Sequence, residues 1–265
     1  MGAVLSFVIR CAIYNCRILG FYAKQFLENE GIHYEPRWFT AWEAGVVKEI
    51  SVNDEKFPIG DFQFSFKNIR IGFEICEDAW RESERPAIRL WEKGIQLILN
   101  PSASHFSMGK TRQRFDLITN SSKVFNCVYV YVNLLGNEAG RIIYDGEILV
   151  AQHGRMIRSN PRLSFKNINL VSSEINFSNP GLTASQPPDN NFQINEEFIA
   201  AAALGLFDYL RKSHNKGFVI SLSGGADSSC CAILIAEMTR RGVEELGVEQ
   251  FLLKLGRPDL TLKAI

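Results

Sequence analysis

From residue 69 onward, short apolar runs alternate with stretches of helical periodicity. The runs IRIGFEI (69–75) and IQLILN (95–100) have the length and β-branched content of buried strands. PAIRLWEKG (86–94) predicts a short amphipathic helix that ends at Gly94, and KTRQRFDLITNSSKVFN (110–126) predicts a longer helix. Strands that alternate with helices in this order predict a mixed α/β domain.

Three later segments also have strand character. CVYVYVNLL (127–135) is a nearly continuous apolar run, and RIIYDGEILV (141–150) and INLVSSEINF (168–177) follow it. Within the second segment, Asp145-Gly146 is a dipeptide that favours a two-residue turn, so the pattern predicts a β-hairpin there.

The composition then changes. NPGLTASQPPDNNF is dense in Pro, Asn, Ser and Gly, which favour turns and extended backbone over periodic packing. We therefore predict a linker over residues 179–194, between a first domain at 1–178 and a second domain at 195–265. The second domain opens with the helical pattern EEFIAAAALGLFDYLRKSH, continues with a buried strand, GFVISLS (217–223), and resumes as a helix in SSCCAILIAEMTRR.

A glycine-rich segment, SLSGGADSS (221–229), lies between that strand and that helix. Consecutive glycines let the backbone turn sharply and present bare N–H groups, and the helix N-terminus adds partial positive charge. Phosphate is the expected ligand, although no Gly-Lys-Ser/Thr follows as in a Walker A loop. Ser223 and Ser228 offer hydroxyls, and Asp227 offers a hard oxygen ligand for Mg²⁺. An Asp/Ser helix cap after a Gly-Gly turn is the alternative.

Charge and cysteine content narrow the function classes. The 29 basic and 29 acidic residues balance, which gives no support to nucleic-acid binding. No stretch approaches the ~20 consecutive apolar residues of a membrane span. The six cysteines show no zinc-ligand spacing, so we expect a reduced, cytoplasmic protein.

Cys76 stands at the carboxyl end of the strand in IRIGFEICEDAW, where α/β sheets expose reactive groups. The neighbouring acids Glu74, Glu77 and Asp78 would raise the pKa of its thiol, so a nucleophilic cysteine there needs a nearby cation. Lys24 is a candidate for that cation. A purely structural cysteine is the alternative.

Three segments together resemble one enzyme family. SGGADS resembles the pyrophosphate loop of N-type ATP pyrophosphatases, and IRIGFEICEDAW resembles the nucleophile strand of the nitrilase superfamily. YNCRILGFYAKQFLENEGIHYEPRWF resembles the lysine segment of that superfamily, in the form found in glutamine-dependent NAD synthetases, which join both units in one chain. The resemblance runs from about Tyr14 to Met238. It implies an incomplete nitrilase-like αββα sandwich, followed by the start of a Rossmann-like adenine nucleotide α-hydrolase domain.

The resemblance also implies ATP-dependent amidation of deamido-NAD, with ammonia from glutamine and Mg²⁺ as cofactor. The partners would be these small molecules, with neither nucleic acid nor membrane, and the full-length protein would be a homo-oligomer. The implied site residues are Cys76 as nucleophile and Lys24 at the oxyanion; Glu35, Glu77, Ser102 and Ser104 at the glutamine; Ser223, Gly224, Gly225, Ala226, Asp227, Ser228 and Ser229 at ATP; and Asp227 at the metal. The alternatives are solvated glutamates and serines that only shape a loop.

Some features depart from the family pattern. Ala23 stands where the family usually has Pro, and the catalytic glutamate of the family would precede any residue of this chain. We therefore expect a chain truncated at both ends that is poorly soluble and catalyses neither reaction alone. Two other interpretations stay open, namely a plain nitrilase-type amidase and an inactive protein with an interaction role.

Overall fold

A computed structural model describes residues 6–138, 142–185 and 194–260. Its first sheet has the strand order β1-β2-β4-β3, with β2 and β4 parallel and the other pairs antiparallel. These strands are β1 Ile9–Tyr14, β2 Arg17–Ala23, β3 Val47–Val52 and β4 Glu55–Gly60. This sheet precedes residue 69, where the elements predicted from the hydrophobic pattern begin.

The second sheet has six strands in the order β12-β11-β8-β7-β6-β5, and a separate two-stranded sheet pairs β10 with β9. Strands β6, β7 and β8 are parallel, and the outer pairs are antiparallel. The bounds are β5 Phe64–Phe66, β6 Ile69–Phe73, β7 Leu97–Ser102, β8 Val128–Asn133, β9 Leu135–Glu138, β10 Ile142–Asp145, β11 Ile148–Gln152 and β12 Arg155–Ser159.

Helices connect the parallel strands and continue the chain beyond them. They are α1 Glu35–Trp38, α2 Pro86–Glu92, α3 Lys110–Val124, α4 Ile194–Ser213, α5 Ala226–Leu246 and α6 Val248–Lys254. Short 3₁₀ turns cover Cys76–Trp80, Glu82–Glu84 and Pro180–Leu182. The order β6-α2-β7-α3-β8 confirms the mixed α/β class predicted from the hydrophobic pattern.

One apolar core joins the central strands to α2 and α3. Ile98, Tyr129 and Leu149 of the sheet pack with Leu90 of α2, and the cluster is almost free of solvent contact. Gly72 permits this close packing, because a Cβ there would lie 2.7 Å from a methyl carbon of Leu90. No helix among the described residues is long and apolar enough to cross a membrane.

A second core forms around α4. Leu163 and Phe165, which precede the predicted linker, pack with Phe207 of α4 and Phe251 of α6. Two polar contacts reinforce this packing: Arg162 pairs with Glu197 at 2.7 Å, and the N–H of Asn137 donates to Asp208 at 2.7 Å. The division into two domains stays a prediction, and residues 186–193 of the predicted linker lie outside the described residues.

The predicted hairpin at Asp145-Gly146 is wrong. Strand β10 pairs with β9, whereas β11 pairs with β8 and β12, so the chain passes from one sheet to another at this point. The physical reason is that Asp145 is anchored in the interior, where its carboxylate accepts hydrogen bonds from Arg114 at 2.5 Å and from Asn133 at 2.7 Å.

Two predicted strands are also wrong. Residues 168–177 and 217–223 contain no strand, and Leu170 and Val219 are exposed. A strand needs a neighbouring strand for its backbone hydrogen bonds, and no strand of the described chain pairs with either segment. Apolar composition without such a neighbour leaves both segments in extended, irregular conformations.

Arg114 supports the interior by charge as well as by packing. It is fully buried on α3 and pairs with Asp145 at 2.5 Å and Glu147 at 3.0 Å. Arg112, one half-turn away, is 80% exposed and pairs with Asp116 at 3.1 Å. When one partner of a buried ion pair is removed, the other charge stays buried without compensation. When one partner of a surface pair is removed, water solvates the remaining charge.

We therefore expect Arg114→Met to lower the free energy of unfolding by about 3 kcal/mol, because the buried carboxylates of Asp145 and Glu147 lose the nearer of their two cations and keep only Arg162, at 3.6 and 3.8 Å. Arg112→Met on the same helix should change it by less than about 1 kcal/mol. Urea unfolding of both variants measures the difference, and equal losses would contradict the assigned role of Arg114.

Candidate functional site

Cys76 lies just beyond the carboxyl end of β6, at the first residue of a 3₁₀ turn. Its backbone has a φ of 52°, which is the left-handed region that residues other than glycine rarely adopt. Such a conformation costs about 1–3 kcal/mol and persists only where the surrounding structure holds it. Strand β7, parallel to β6, ends at Ser102, so the two carboxyl ends lie side by side.

The surroundings of the thiol act in opposite directions. Burial raises the pKa of Cys76, and the charge of Lys24 lowers it. Polar contacts with the backbone of Ala103 and the side chain of Ser102 lower this pKa as well, whereas Glu35 raises it. Because the pKa stays above the ordinary thiol value, the resting group is protonated at neutral pH. Lys24 is the nearby cation that a nucleophilic cysteine requires.

Lys24 follows directly after β2 and is almost completely buried. Its ammonium group contacts the carboxylate of Glu35 at 2.5 Å, and the same carboxylate oxygen accepts the N–H of Glu28 at 2.7 Å. The predicted contact of Glu35 with substrate stays a prediction. In the structure this side chain is the counter-ion of the lysine.

A pair of carboxyl groups lies next to Cys76. Burial and a hydrogen bond with Glu28 raise the pKa of Glu77 to about 8, while Arg81 at 2.8 Å opposes this rise. The pKa of Glu28 is lowered: burial, the largest single effect, works against the lowering, but the hydrogen bonds with Glu77 and the backbone of Glu30 and the charges of His33 and Arg81 together outweigh it. The two groups therefore share one proton near neutral pH. Glu28 was not among the predicted site residues, because one glutamate in a polar segment looks solvated.

Cys76, Glu28 and Glu77 line a cavity of about 420 Å³. The chemically reactive groups that line it are Glu28, His33, Cys76, Glu77, His105 and Lys110, and Ser104 contributes to the wall. His33 and His105 contact each other through ring nitrogens 3.0 Å apart. Neither histidine was predicted as a site residue, and nor was Lys110, since each is isolated in the sequence.

The two predicted serines have different surroundings. Ser104 lines the cavity, and its main-chain N–H donates to Asn133 at 2.8 Å. Ser102 does not line the cavity, and its hydroxyl donates to Asn100 at 2.6 Å. Of the predicted glutamine-binding residues, Glu77 and Ser104 line the cavity. Glu35 instead contacts Lys24, and Ser102 contacts Cys76.

The glycine-rich segment forms an exposed turn at the start of α5. Gly224 has a φ of 84°, and the hydroxyls of Ser223 and Ser228 lie 3.2 Å apart. The helix begins after Gly225 without a side-chain cap, so the helix-cap alternative lacks its defining hydrogen bond. Asp227 lies in the first helical turn, with its side chain exposed. The N–H groups of Gly225 and Ser229 already have acceptors, in Ser223 at 3.4 Å and Gly225 at 3.1 Å, whereas the N–H groups between them, at the start of the helix, have no acceptor within it.

Comparison with known proteins gives a consistent result across both halves. A solved glutamine-dependent NAD(+) synthetase from Cytophaga hutchinsonii is 49% identical, with a TM-score of 0.85 over 97% of this chain and 40% of that one. The chain is a homologue of part of the glutamine-dependent NAD(+) synthetases. The synthetase from Homo sapiens is 28% identical over 88% of the chain and 41% of its own length, and the putative synthetase from Schizosaccharomyces pombe is 28% identical over 86% and 40%.

A solved synthetase from Acinetobacter baumannii, described in complex with ADP, is 22% identical with a TM-score of 0.73 and shares the fold. No protein-family model matches the chain. The chain spans about 40% of the length of the synthetases it matches. These matches confirm the predicted resemblance to the synthetases.

The shared proton of Glu28 and Glu77 predicts a pH-dependent stability. The folded state holds the Glu77 proton up to about pH 8, whereas the unfolded chain loses it near the ordinary value of 4.5. The contribution of Glu77 to stability therefore falls as the pH rises through that window. A glutamine at position 77 donates the same hydrogen bond to Glu28 without titrating.

We expect Glu77→Gln to raise the melting temperature relative to the parent chain at about pH 8 and to change it little at about pH 5. The exposed Glu84→Gln should show no such trend. Thermal unfolding across this pH range is the measurement, and a gain that is independent of pH would exclude the shared proton.

Proposed function

We propose that the protein is a glutamine-hydrolysing NAD synthetase, a carbon–nitrogen ligase that amidates deamido-NAD through an adenylated intermediate. The observation that carries the proposal is the presence of two sites in one chain. Cys76, with Lys24 as its nearby cation, lines a cavity in the first half, and an exposed glycine turn begins a helix in the second half. The 49% identity to a synthetase over nearly the whole chain supports it.

In the first reaction the Cys76 sulfur attacks the side-chain amide carbon of glutamine. A carbon–sulfur bond forms, the carbon–nitrogen bond breaks, and the thiol proton leaves with the nitrogen as ammonia. Water then hydrolyses the thioester to glutamate and restores the thiol. Lys24 is placed to stabilise the negative charge on the substrate oxygen, because its buried ammonium acts in a low-dielectric environment.

Glu77 and Ser104 are the cavity-lining residues that we assign to glutamine binding. Glu35 is assigned to the same site through Lys24, and Ser102 through its polar contact with Cys76. Their polar groups surround a cavity large enough for an amino acid.

In the second reaction the ATP phosphates bind the turn formed by Ser223, Gly224, Gly225, Ala226, Asp227, Ser228 and Ser229. The open N–H groups and the helix N-terminus favour an anion there. Asp227 fits a magnesium ion as a single hard-oxygen ligand. No cluster of three metal-binding side chains occurs in the part of the chain that the structure describes, so phosphate oxygens and water would complete its shell. When bound, the ion neutralises charge on the departing pyrophosphate.

The proposal includes the cellular context. Glutamine, ATP and deamido-NAD are the partners, without nucleic acid or membrane, and the full-length enzyme is a homo-oligomer. All six cysteines are free, which accords with the reducing conditions of the cytoplasm.

Cys76→Ala should abolish NAD synthesis with glutamine and preserve it with a high concentration of ammonium salt, because only the release of ammonia needs the thiol. The measurement is NAD formation by the protein as its gene encodes it, with Cys11→Ala, an exposed cysteine, as control. Equal loss with both nitrogen sources would contradict the assignment. Glutamine hydrolysis by the parent protein without pyrophosphate release would favour the amidase alternative.

Asp227→Asn should reduce pyrophosphate release by about 10²-fold or more while glutamine hydrolysis remains measurable, because the ligand of the metal is lost. Glu249→Gln, an acidic residue in the first turn of α6, is the matched control and should retain both activities. Unchanged pyrophosphate release by Asp227→Asn would refute the metal assignment.

A further inference from the structure

Lys24 and Cys76 belong to different sheets. Lys24 follows β2 of the first sheet, and Cys76 follows β6 of the second. No strand pairing joins these two sheets among the described residues. The position of the ammonium group relative to the thiol therefore depends on contacts between side chains and loops.

Apolar packing supplies one such contact. Tyr22 of β2 packs with Phe64 and Ile75 in a buried cluster that also reaches Cys76. Packing of this kind resists separation of the sheets, but it is not directional, so it fixes their register less sharply than hydrogen bonds do.

Asp78 supplies a directional contact at the same place. One carboxylate oxygen accepts the N–H groups of Gln25 at 3.1 Å and Phe26 at 2.8 Å, the two residues after Lys24. The other oxygen accepts the N–H of Ile75, directly before Cys76, at 2.9 Å. The side chain is fully buried, so no water competes for these bonds.

We propose that Asp78 is a positioning residue that holds the Lys24 ammonium against the Cys76 thiol by joining the backbone on either side of the site. The inference rests on the proposed function, in which these two groups act together. A carboxylate suits this role because both of its oxygens accept hydrogen bonds, whereas an amide offers only one accepting atom. Glu35 holds the charged end of the lysine, and Asp78 holds the main chain that directly follows it.

The test uses alkylation of Cys76 by iodoacetamide, followed by mass spectrometry at that residue, so that it does not depend on activity. Burial raises the pKa of Asp78 to about 7, and the N–H groups of Ile75 and Phe26 oppose that rise. Rates are therefore compared above about pH 7.5, where the side chain is a carboxylate.

Asp78→Asn should move the midpoint of the alkylation profile upward by about one pH unit, because Lys24 no longer lies where it lowers the thiol pKa. Loss of a nearby negative charge alone would move the midpoint downward. The direction of the shift thus separates positioning from simple electrostatics, and a downward or absent shift would overturn the proposal.

Asp61→Asn is the matched control. Asp61 is almost as deeply buried and accepts hydrogen bonds from Gly45 at 2.9 Å, from Arg89 at 2.9 Å and from the hydroxyl of Tyr22 at 3.4 Å, but its donors do not include the N–H groups that Asp78 binds. It should lose stability and keep the parent midpoint. An equal upward shift in both variants would mean that general loosening of the fold, and not the loss of Asp78, raises the pKa of the Cys76 thiol.

Two further arms complete the test. In a Lys24→Met background, Asp78→Asn should cause no additional upward shift, because the charge that it positions is absent; a full shift there would refute the proposal. In the protein as its gene encodes it, Asp78→Asn should lower kcat for glutamine hydrolysis by about 10²-fold with little change in KM. A change confined to KM would place Asp78 in substrate binding instead.

If Asp78→Asn does not fold, Asp78→Glu retains the charge and both acceptors while displacing them by one methylene. An upward midpoint in that variant supports the proposal, and a parent-like midpoint overturns it. Continued glutamine hydrolysis by Cys76→Ala would refute the proposed function alone, since the alkylation profile would still report on the position of Lys24.

Discussion

The buried ammonium group of Lys24 is the constraint on which the site depends. Removing a charge from water is unfavourable by several kcal/mol unless an opposite charge and hydrogen bonds compensate it. Glu35 supplies the charge, and the N–H of Glu28 binds the same carboxylate oxygen. The loop from Lys24 to α1 must therefore fold back on itself, and the main chain of Lys24 is held as well, because its carbonyl accepts the N–H of Trp42 at 3.0 Å. A fixed lysine near Cys76 follows from this compensation.

The second requirement is a rigid base beneath Cys76, and a buried polar network provides it. Glu74, directly after β6, binds the guanidinium of Arg85 through both oxygens at 3.0 and 2.5 Å and accepts the hydroxyl of Tyr129 at 2.6 Å. Tyr129 in turn accepts an N–H of Asn100, which accepts the hydroxyl of Ser102. The network thus runs from the nucleophile strand to the serine beside the thiol. Fully satisfied networks of this kind specify one arrangement more strictly than apolar packing does.

The sequence predicted the elements whose periodicity matches their final surroundings. Strands β6, β7 and β8 and helices α2 to α5 were predicted because each presents a regular apolar face to a core. Asp145-Gly146 has the local chemistry of a turn. The predicted hairpin was wrong because the ion pair with Arg114 holds Asp145 in the interior, where the chain passes from one sheet to another. GFVISLS has strand composition but no strand beside it in the described chain. Local pattern indicates what a segment can form, whereas pairing partners decide what it does form.

The residues of the candidate site also divide into those that the sequence identified and those that only the structure identified. Cys76 and Lys24 were identified because they stand in segments that resemble a family. Glu28 and Asp78 lie in the same two segments, but Glu28 was given no role and Asp78 was expected only to raise the pKa of the Cys76 thiol. Their roles arise from folding: Glu28 meets Glu77, and Asp78 meets the backbone after Lys24, only when the two sheets come together. A buried carboxylate with three N–H donors cannot be distinguished by composition from a solvated one. Residues that position a site across two sheets are therefore the ones that sequence reading misses and that structure supplies.

The second half is joined to the first by contacts of the same character. The apolar cluster of α4 to α6 includes Phe165, and the directional contacts are Arg162 with Glu197 and the N–H of Asn137 with Asp208. Apolar area gives such an interface its affinity, while buried charged and hydrogen-bonded pairs fix its register. Helix α4 is held by both kinds of contact. The same physical rule therefore applies twice in this chain: hydrophobic burial brings two units together, and a few buried carboxylates determine how they align.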